Sequence, residues 1–323
     1  TVKNYGKRPA RDVTVVVNVL GTISTLTLGD VTGGALTITG AAGITGLKTI
    51  TVAGTLDAGD RLITTTDDGT VTIDGASAGL TAGDVTANVF NLNQGSASVK
   101  NLYGTGDNPT ATIGGTTFTM RSSDITNWQT ITANTDVDAH SGAISAAGTV
   151  TNAAGKNLTA GSLTAGTLAV YGTTNIVGLV DATSTTVHSG AELAAASHLG
   201  TDLTVNGTAQ YINGVSLTGT ATVGNGTNAA SLTAATLVAG ELSIKDKGFV
   251  QTAIGGTADD PPTRVAKLTF AGDEDLPLGQ WDVRMGKFII EYEGATAPGE
   301  VENQVRKLVR SGYEGWGVEG NPY

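Results

Sequence analysis

The chain has 323 residues, a formal net charge of −11 at pH 7 and no cysteine. The lack of thiols excludes a disulfide framework, a thiolate metal site and a cysteine nucleophile, and the acidity disfavours nucleic acid, whose phosphates need a basic face. Aromatic residues make up 5% and charged residues 15%, while glycine occupies 46 positions; that balance fits neither a core built on large aromatics nor a highly charged disordered chain.

The first eleven residues hold Lys3, Lys7, Arg8 and Arg11. After them, residues 13–20 (Val-Thr-Val-Val-Val-Asn-Val-Leu) form the most apolar strand-like word in the chain. We read residues 1–20 as a leader and strand that either cap the fold or pair with a neighbouring subunit, because an open sheet end is a pairing template. The candidate interface residues here are Val13, Val15, Val16, Val17 and Val19. The sequence starts at Thr1, which suggests a mature extracellular or cell-surface protein after signal-peptide removal. No apolar run reaches the roughly 20 residues of a membrane-spanning helix.

From about residue 21 to 256, short words recur between Gly, Asn-Gly or Asp-Gly punctuation. Examples are 26–28 (Leu-Thr-Leu), 35–39 (Ala-Leu-Thr-Ile-Thr), 48–52 (Lys-Thr-Ile-Thr-Val) and 70–74 (Thr-Val-Thr-Ile-Asp). Later ones are 163–170, 202–205, 215–218 and 231–238. Each alternates an apolar residue with Thr or another small residue, the period of a strand with one buried face. Each is expected to be about 4–6 residues long, in keeping with the usual length of a strand. The uniform composition favours a solenoid over a sandwich, since a solenoid core is narrow and suits stacked small and β-branched side chains. Rungs of about 20 residues predict about 12 turns and a rod about 60 Å long. The expected fold is therefore all-β, a right-handed parallel β-solenoid, the hand following the general bias of parallel crossovers. Between residues 122 and 244 the single basic residue is Lys156, so the middle is chemically bland.

The pattern changes near Gly255, and residues 257–323 read as a C-terminal cap or assembly segment. Asp259-Asp-Pro-Pro262 breaks the repeat. Strands are expected at 266–270 and 287–292, and one short helix at 300–310, with Val301, Val305, Leu308 and Val309 on one face and Gly312 as its stop. Candidate assembly residues at this end are Trp281, Phe288, Ile290, Tyr313, Trp316 and Tyr323.

The words Phe288-Ile-Ile-Glu-Tyr-Glu-Gly294 and Val305-Arg-Lys-Leu-Val-Arg-Ser-Gly-Tyr-Glu-Gly-Trp316 resemble the end of large bacterial surface proteins, planctomycete-like, built from autotransporter-type β-strand repeats. The specific likeness covers about the last 45 residues; upstream it is one of composition. The resemblance implies an extracellular β-helix of unassigned function and brings no catalytic residues.

Candidate chemistry is sparse. Asn134-Thr-Asp-Val-Asp-Ala-His140 puts Asp136 and Asp138 two apart, on one side of a strand, as glycoside hydrolysis would need. The other motifs of the polygalacturonases, which share the β-helix fold, are missing, so a polar turn or an outer ladder is the expectation. His140, His188 and His198 lack metal spacing and are expected to be solvated. Asp67-Asp68-Gly69, Asp259-Asp260 and Asp273-Glu-Asp275 could gather Ca²⁺ but read as acidic turns. Gly114-Gly115 lacks the Gly-Lys-Ser/Thr of a phosphate loop, and no Gly-x-Ser-x-Gly elbow comes with a plausible Asp and His. Trp128, Trp281, Trp316, Tyr171 and Tyr211 could stack on sugars and are expected mostly as fillers or cap residues. No cofactor is expected and no enzymatic activity. The leading expectation is a structural extracellular protein that partners with itself, a head-to-tail homopolymer in a surface filament or layer. The alternatives are a monomeric adhesin that binds cell-surface or matrix glycans, and a polysaccharide lyase or hydrolase resting on Asp136 and Asp138.

Overall fold

The computed structural model describes residues 25–28, 35–37, 43–121, 124–252, 262–272, 278–283 and 288–290. Every regular element among them is a β-strand, and every strand pairing is parallel, from Thr25–Leu28 beside Ile44–Val52 to Thr263–Phe270 beside Phe288–Ile290. The chain is a parallel β-solenoid. It divides into two compact units, Thr1–Ala182 and Thr183–Tyr323.

In the first unit each turn lays strand on three faces. On the first face, the inward column runs Ile50, Val71, Phe90, Ala111, Ile131, Val150, Leu168. On the second it runs Ile63, Val85, Leu102, Ile125, Ile144, Leu163. The third face opens with a separate five-stranded sheet, whose inward column includes Leu56, Leu80, Ala97 and Phe118. Successive members of a column lie about 20 residues apart, at the short end of solenoid repeats. All these residues are buried, while Ile44, on the rung before Ile63 and in register with it, is half-buried. The alternation of Thr with an apolar residue produces this directly: one side chain enters the core and the next faces out. Because Val, Ile and Thr are stiff at χ1 and fit a pleated surface, they stack in columns with little conformational loss.

Many strands are longer than the sequence words. Ile44–Val52 serves the second face with Ile44 and Thr45 and the first with Thr49 through Val52. Ile63–Ile73 does the same across Asp67-Asp68-Gly69, and Thr173–Val187 reaches 15 residues. Pairing carries through these corners with a register shift, so a local turn signal does not end the strand. Tight corners use glycine where it is needed. At Gly95, with φ of 76°, a Cβ would strike the carbonyl oxygen of Ala78 on the rung before.

Large side chains occupy selected rungs. Phe90 and Phe118 meet edge to face across the core, with centroids 6.3 Å apart. Trp128 is buried near the second-to-first-face corner and donates Nε1–H to the Leu102 carbonyl at 3.2 Å. One inward column, Val52, Ile73, Leu92, Ile113, Ala133, Asn152, Val170, contains a single polar member. Asn152 Nδ2 donates to the carbonyls of Lys156 (3.1 Å) and Thr173 (2.9 Å) and approaches Thr174 Oγ1 at 3.1 Å. It pins a corner from inside.

The second unit has the same construction. Leu193, Ala209, Leu232, Val250 and Trp281 form one column, and Leu203, Ala221, Leu242 and Leu268 another. A third contains His198, Val215 and Leu237. The word 231–238 is two strands here, Ala230–Ala234 and Leu237–Ile244, on different faces. Past residue 256, Thr263–Phe270, Gln280–Asp282 and Phe288–Ile290 each pair in parallel with the turn before, and the first and last of them overlap the strands expected at 266–270 and 287–292. The expected helix at 300–310 lies outside the described residues.

Candidate functional site

The carboxylate pair comes first. Asp136 and Asp138 both face outward, on either side of buried Val137. Each is engaged in holding the backbone. Asp136 Oδ1 accepts the N–H of Asn157 on the following rung at 2.8 Å. Asp138 Oδ1 accepts the N–H of His140 at 2.8 Å, where His140 adopts a left-handed φ of 50°. His140 Nδ1 lies 3.2 Å from Asp138 Oδ2, and its Nε2 lies 3.2 Å from the Met120 carbonyl oxygen. Both ring nitrogens are occupied, so the group works as a clip between rungs.

The acidic turn at Asp67-Asp68 borders an open hollow shared with Asn88, Gly106, Asp107 and Asn108. Its carboxylates already have partners. Lys48 Nζ sits 2.5 Å from Asp68 Oδ2, Thr66 Oγ1 donates to Asp68 Oδ1 at 2.9 Å, and Thr105 Oγ1 donates to Asp67 Oδ1 at 3.2 Å. The Lys48 ammonium holds the Asp68 carboxyl below its usual range. Among the described residues no group of three or more His, Cys, Asp or Glu could hold a metal ion. The Gly75-to-Gly79 stretch spells Gly-x-Ser-x-Gly, but Ser77 lies on an exposed turn between two strands, and a nucleophile elbow needs a strand-to-helix turn.

One expectation is overturned. His198 is fully buried, not solvated. It occupies an inward position of the second unit, in register with Val215; the alternation of strand Glu192–Val205 turns its ring into the core. Its Nε2 lies 2.9 Å from Thr185 Oγ1 and its ring meets Tyr211 edge-on at 5.6 Å. His198 Nδ1 and Tyr211 Oη have no hydrogen-bond partner. Burial lowers the His198 pKa to about 4 and raises that of Tyr211. Sequence reading missed this because a lone His between Ser and Leu carries no metal or triad spacing; the in-register alternation was the available signal.

Of the other aromatics, Trp128 and Tyr211 are core fillers and Tyr171 is exposed. Trp281 is half-buried and donates Nε1–H to Thr252 Oγ1 at 3.1 Å. Ile290 is half-buried in the last described rung, in register with Val265, and the backbone of Phe288 pairs with Thr263. Val13, Val15, Val16, Val17, Val19, Tyr313, Trp316 and Tyr323 lie outside the described residues, as do Asp259-Asp260 and Asp273 through Asp275.

The most regular outward surface is the first face of the first unit. One column runs Thr49, Thr70, Val89, Thr110, Thr130, Thr149, Thr167. The other, two residues along each strand, runs Thr51, Thr72, Asn91, Thr112, Thr132, Thr151, Ala169. No member is ionisable. Other outward surfaces are mixed. On the third face, Asp57, Thr81, Ser98 and Thr119 align. In the second unit, Thr220, Glu241 and Lys267 align, with Lys267 Nζ 3.1 Å from Glu241 Oε2, and another column reads Leu199, Ser216, Val238, Arg264, Ile289.

Set against known protein families, curated proteins and solved structures, the chain has no match.

Proposed function

We propose that this chain is a structural, non-catalytic subunit of an extracellular filament or layer that joins its copies head to tail through the solenoid ends. The observation that carries the reading is the continuity of the parallel ladder. Within each unit, from Thr25–Leu28 to Ser162–Val170 in the first and from Glu192–Val205 to Phe288–Ile290 in the second, the described rungs pair in parallel and present the same pattern to the next. A parallel strand's two edges are complementary to each other and not to themselves. Contact between opposite ends is therefore heterologous and does not close, which gives a growing fibre. The valine-rich word 13–20 and the aromatic tail 313–323 are the segments of the sequence suited to such contacts. Asp136, Asp138 and His140, the cluster that might have served catalysis, are engaged in holding corners.

The test compares the intact chain with one lacking residues 1–20, by sedimentation velocity across rising concentration. The intact chain is expected to form long species and the shortened chain to remain monomeric. An intact chain that stays monomeric throughout would sink the reading.

A further inference from the structure

We propose that the threonine face of the first unit, Thr49 through Ala169, binds the surface of ice. The inference is independent of self-assembly and concerns a different part of the molecule.

The two outward columns keep strict register while the chain around them does not. Between paired strands, shifts fall at Thr45/Leu47 and Leu47/Thr49, at Ile125/Trp128 and Trp128/Thr130, and at Ala146/Thr149. Each irregularity stops at the edge of the face. Corners absorb the variation in length, and the Thr-x-Thr triplet then re-enters the same frame: Thr49/Thr51, Thr70/Thr72, Thr110/Thr112, Thr130/Thr132, Thr149/Thr151. The result is a grid with about 4.8 Å between rungs and about 6.6 Å between the two columns.

The chemistry of the grid narrows what it can hold. Threonine is stiff at χ1, so neighbouring rungs repeat a hydroxyl and a methyl in the same setting. Among the described residues none of these threonine hydroxyls makes a side-chain hydrogen bond within the protein. They are half-buried by their neighbours, apart from exposed Thr167, as expected of a level surface. A protein partner would be anchored by Trp, Tyr or Arg, and a sugar by an aromatic plate; the grid has none of these. It also has no charge with which to attract an ion or a charged polymer. The partner that fits is neutral, periodic in two directions and made of groups that both donate and accept hydrogen bonds. Crystalline water is such a surface. The methyls can occupy gaps in its lattice while the hydroxyls continue its hydrogen bonding, and the rigid grid loses little freedom on contact.

The experiment uses the full chain and ice itself. Single ice crystals are observed in supercooled droplets of protein, and recrystallisation is followed in frozen films. The intact chain is expected to facet the crystals, hold growth below the melting point and slow grain coarsening. Thr132→Lys and, independently, Thr112→Lys at the centre of the grid are expected to lose these effects with unchanged melting temperature and circular dichroism. Thr119→Lys, on the third face, is expected to keep them. Ice growth indistinguishable from that in an equal mass of albumin would overturn the proposal. So would equal loss in the Thr119→Lys chain, or retention by crystalline cellulose or chitin with ice unaffected. Filament formation and ice shaping are read separately, so either can fail without the other.

Discussion

In the first unit, Asn152 is the single polar member of its inward column, and its amide nitrogen holds two carbonyls of a corner while its Oδ1 is left without a partner. In the second, a histidine and a tyrosine sit in the core, in ring contact, each with one polar atom unpartnered. Both units come from the same alternation of strand residues. The difference shows that a solenoid column accepts either kind of side chain at an inward position. The backbone ladder fixes where a residue points, and the side chain then adds to or subtracts from stability.

That contrast can be broken at several points. The largest effect should come from the apolar columns. Phe90→Ala removes a ring packed against Phe118 and should cost the first unit about 3–5 kcal/mol, read from denaturant titration. A loss well under that range would mean that the columns are loosely packed.

The second unit should be the acid-sensitive one. His198 has a folded pKa of about 4 against an ordinary value of 6.5. The folded state thus favours the neutral ring, and the unfolded chain takes up the proton first. The related stability is fully present above pH 6.5 and is lost as pH falls from there towards about 4, on the order of 3 kcal/mol in all. Thermal melts of the intact chain and of His198→Phe at pH 7 and pH 4.5 check this; the variant should show the smaller drop. An equal drop in both would place the acid sensitivity elsewhere.

Tyr211→Phe should stabilise the second unit by about 1–3 kcal/mol, since it removes a buried hydroxyl that has no partner. A destabilised variant would show that the hydroxyl is satisfied in solution. The smallest effect belongs to the surface of the first unit. Arg121 bridges rungs through Asp60 at 2.5 Å, the Gly59 carbonyl at 2.8 Å and the Ala82 carbonyl, while Lys100 reaches Asp60 at 3.3 Å. Arg121 foremost, then Lys100, keeps the Asp60 carboxyl below its ordinary value of 3.8. Its contribution is therefore present above that pH and lost below it. Arg121→Ala should lower the melting temperature slightly at low salt, and the difference should shrink in 1 M salt, where the Debye length is about 3 Å.

Much of the fold was legible because the solenoid writes its period into the chain. Thr-Ile-Thr at residues 49–51 and Thr-Val-Thr at residues 70–72 declare an inward residue between two outward ones, and the bland composition excluded a large aromatic core. What was not legible is instructive. Strand ends were hidden because pairing persists around corners such as Asp67-Asp68-Gly69. A strand at 266–270 was legible, but its parallel pairing with Leu237–Ile244 was not, because Asp259-Asp-Pro-Pro262 interrupts the repeat in the sequence. Asp136 and Asp138 read correctly as an outward pair, but their backbone duties depend on Asn157 and His140, and the first is a rung away. The threonine face could not be seen as a grid until register placed Thr49, Thr70, Thr110, Thr130, Thr149 and Thr167 in one column; in the sequence they are scattered among many other threonines.

The most direct test of the structural role is electron microscopy of the intact chain, concentrated under native conditions without denaturant. Unbranched filaments of uniform width, lost on deletion of residues 1–20, are expected. Separate short particles at every concentration would contradict head-to-tail assembly.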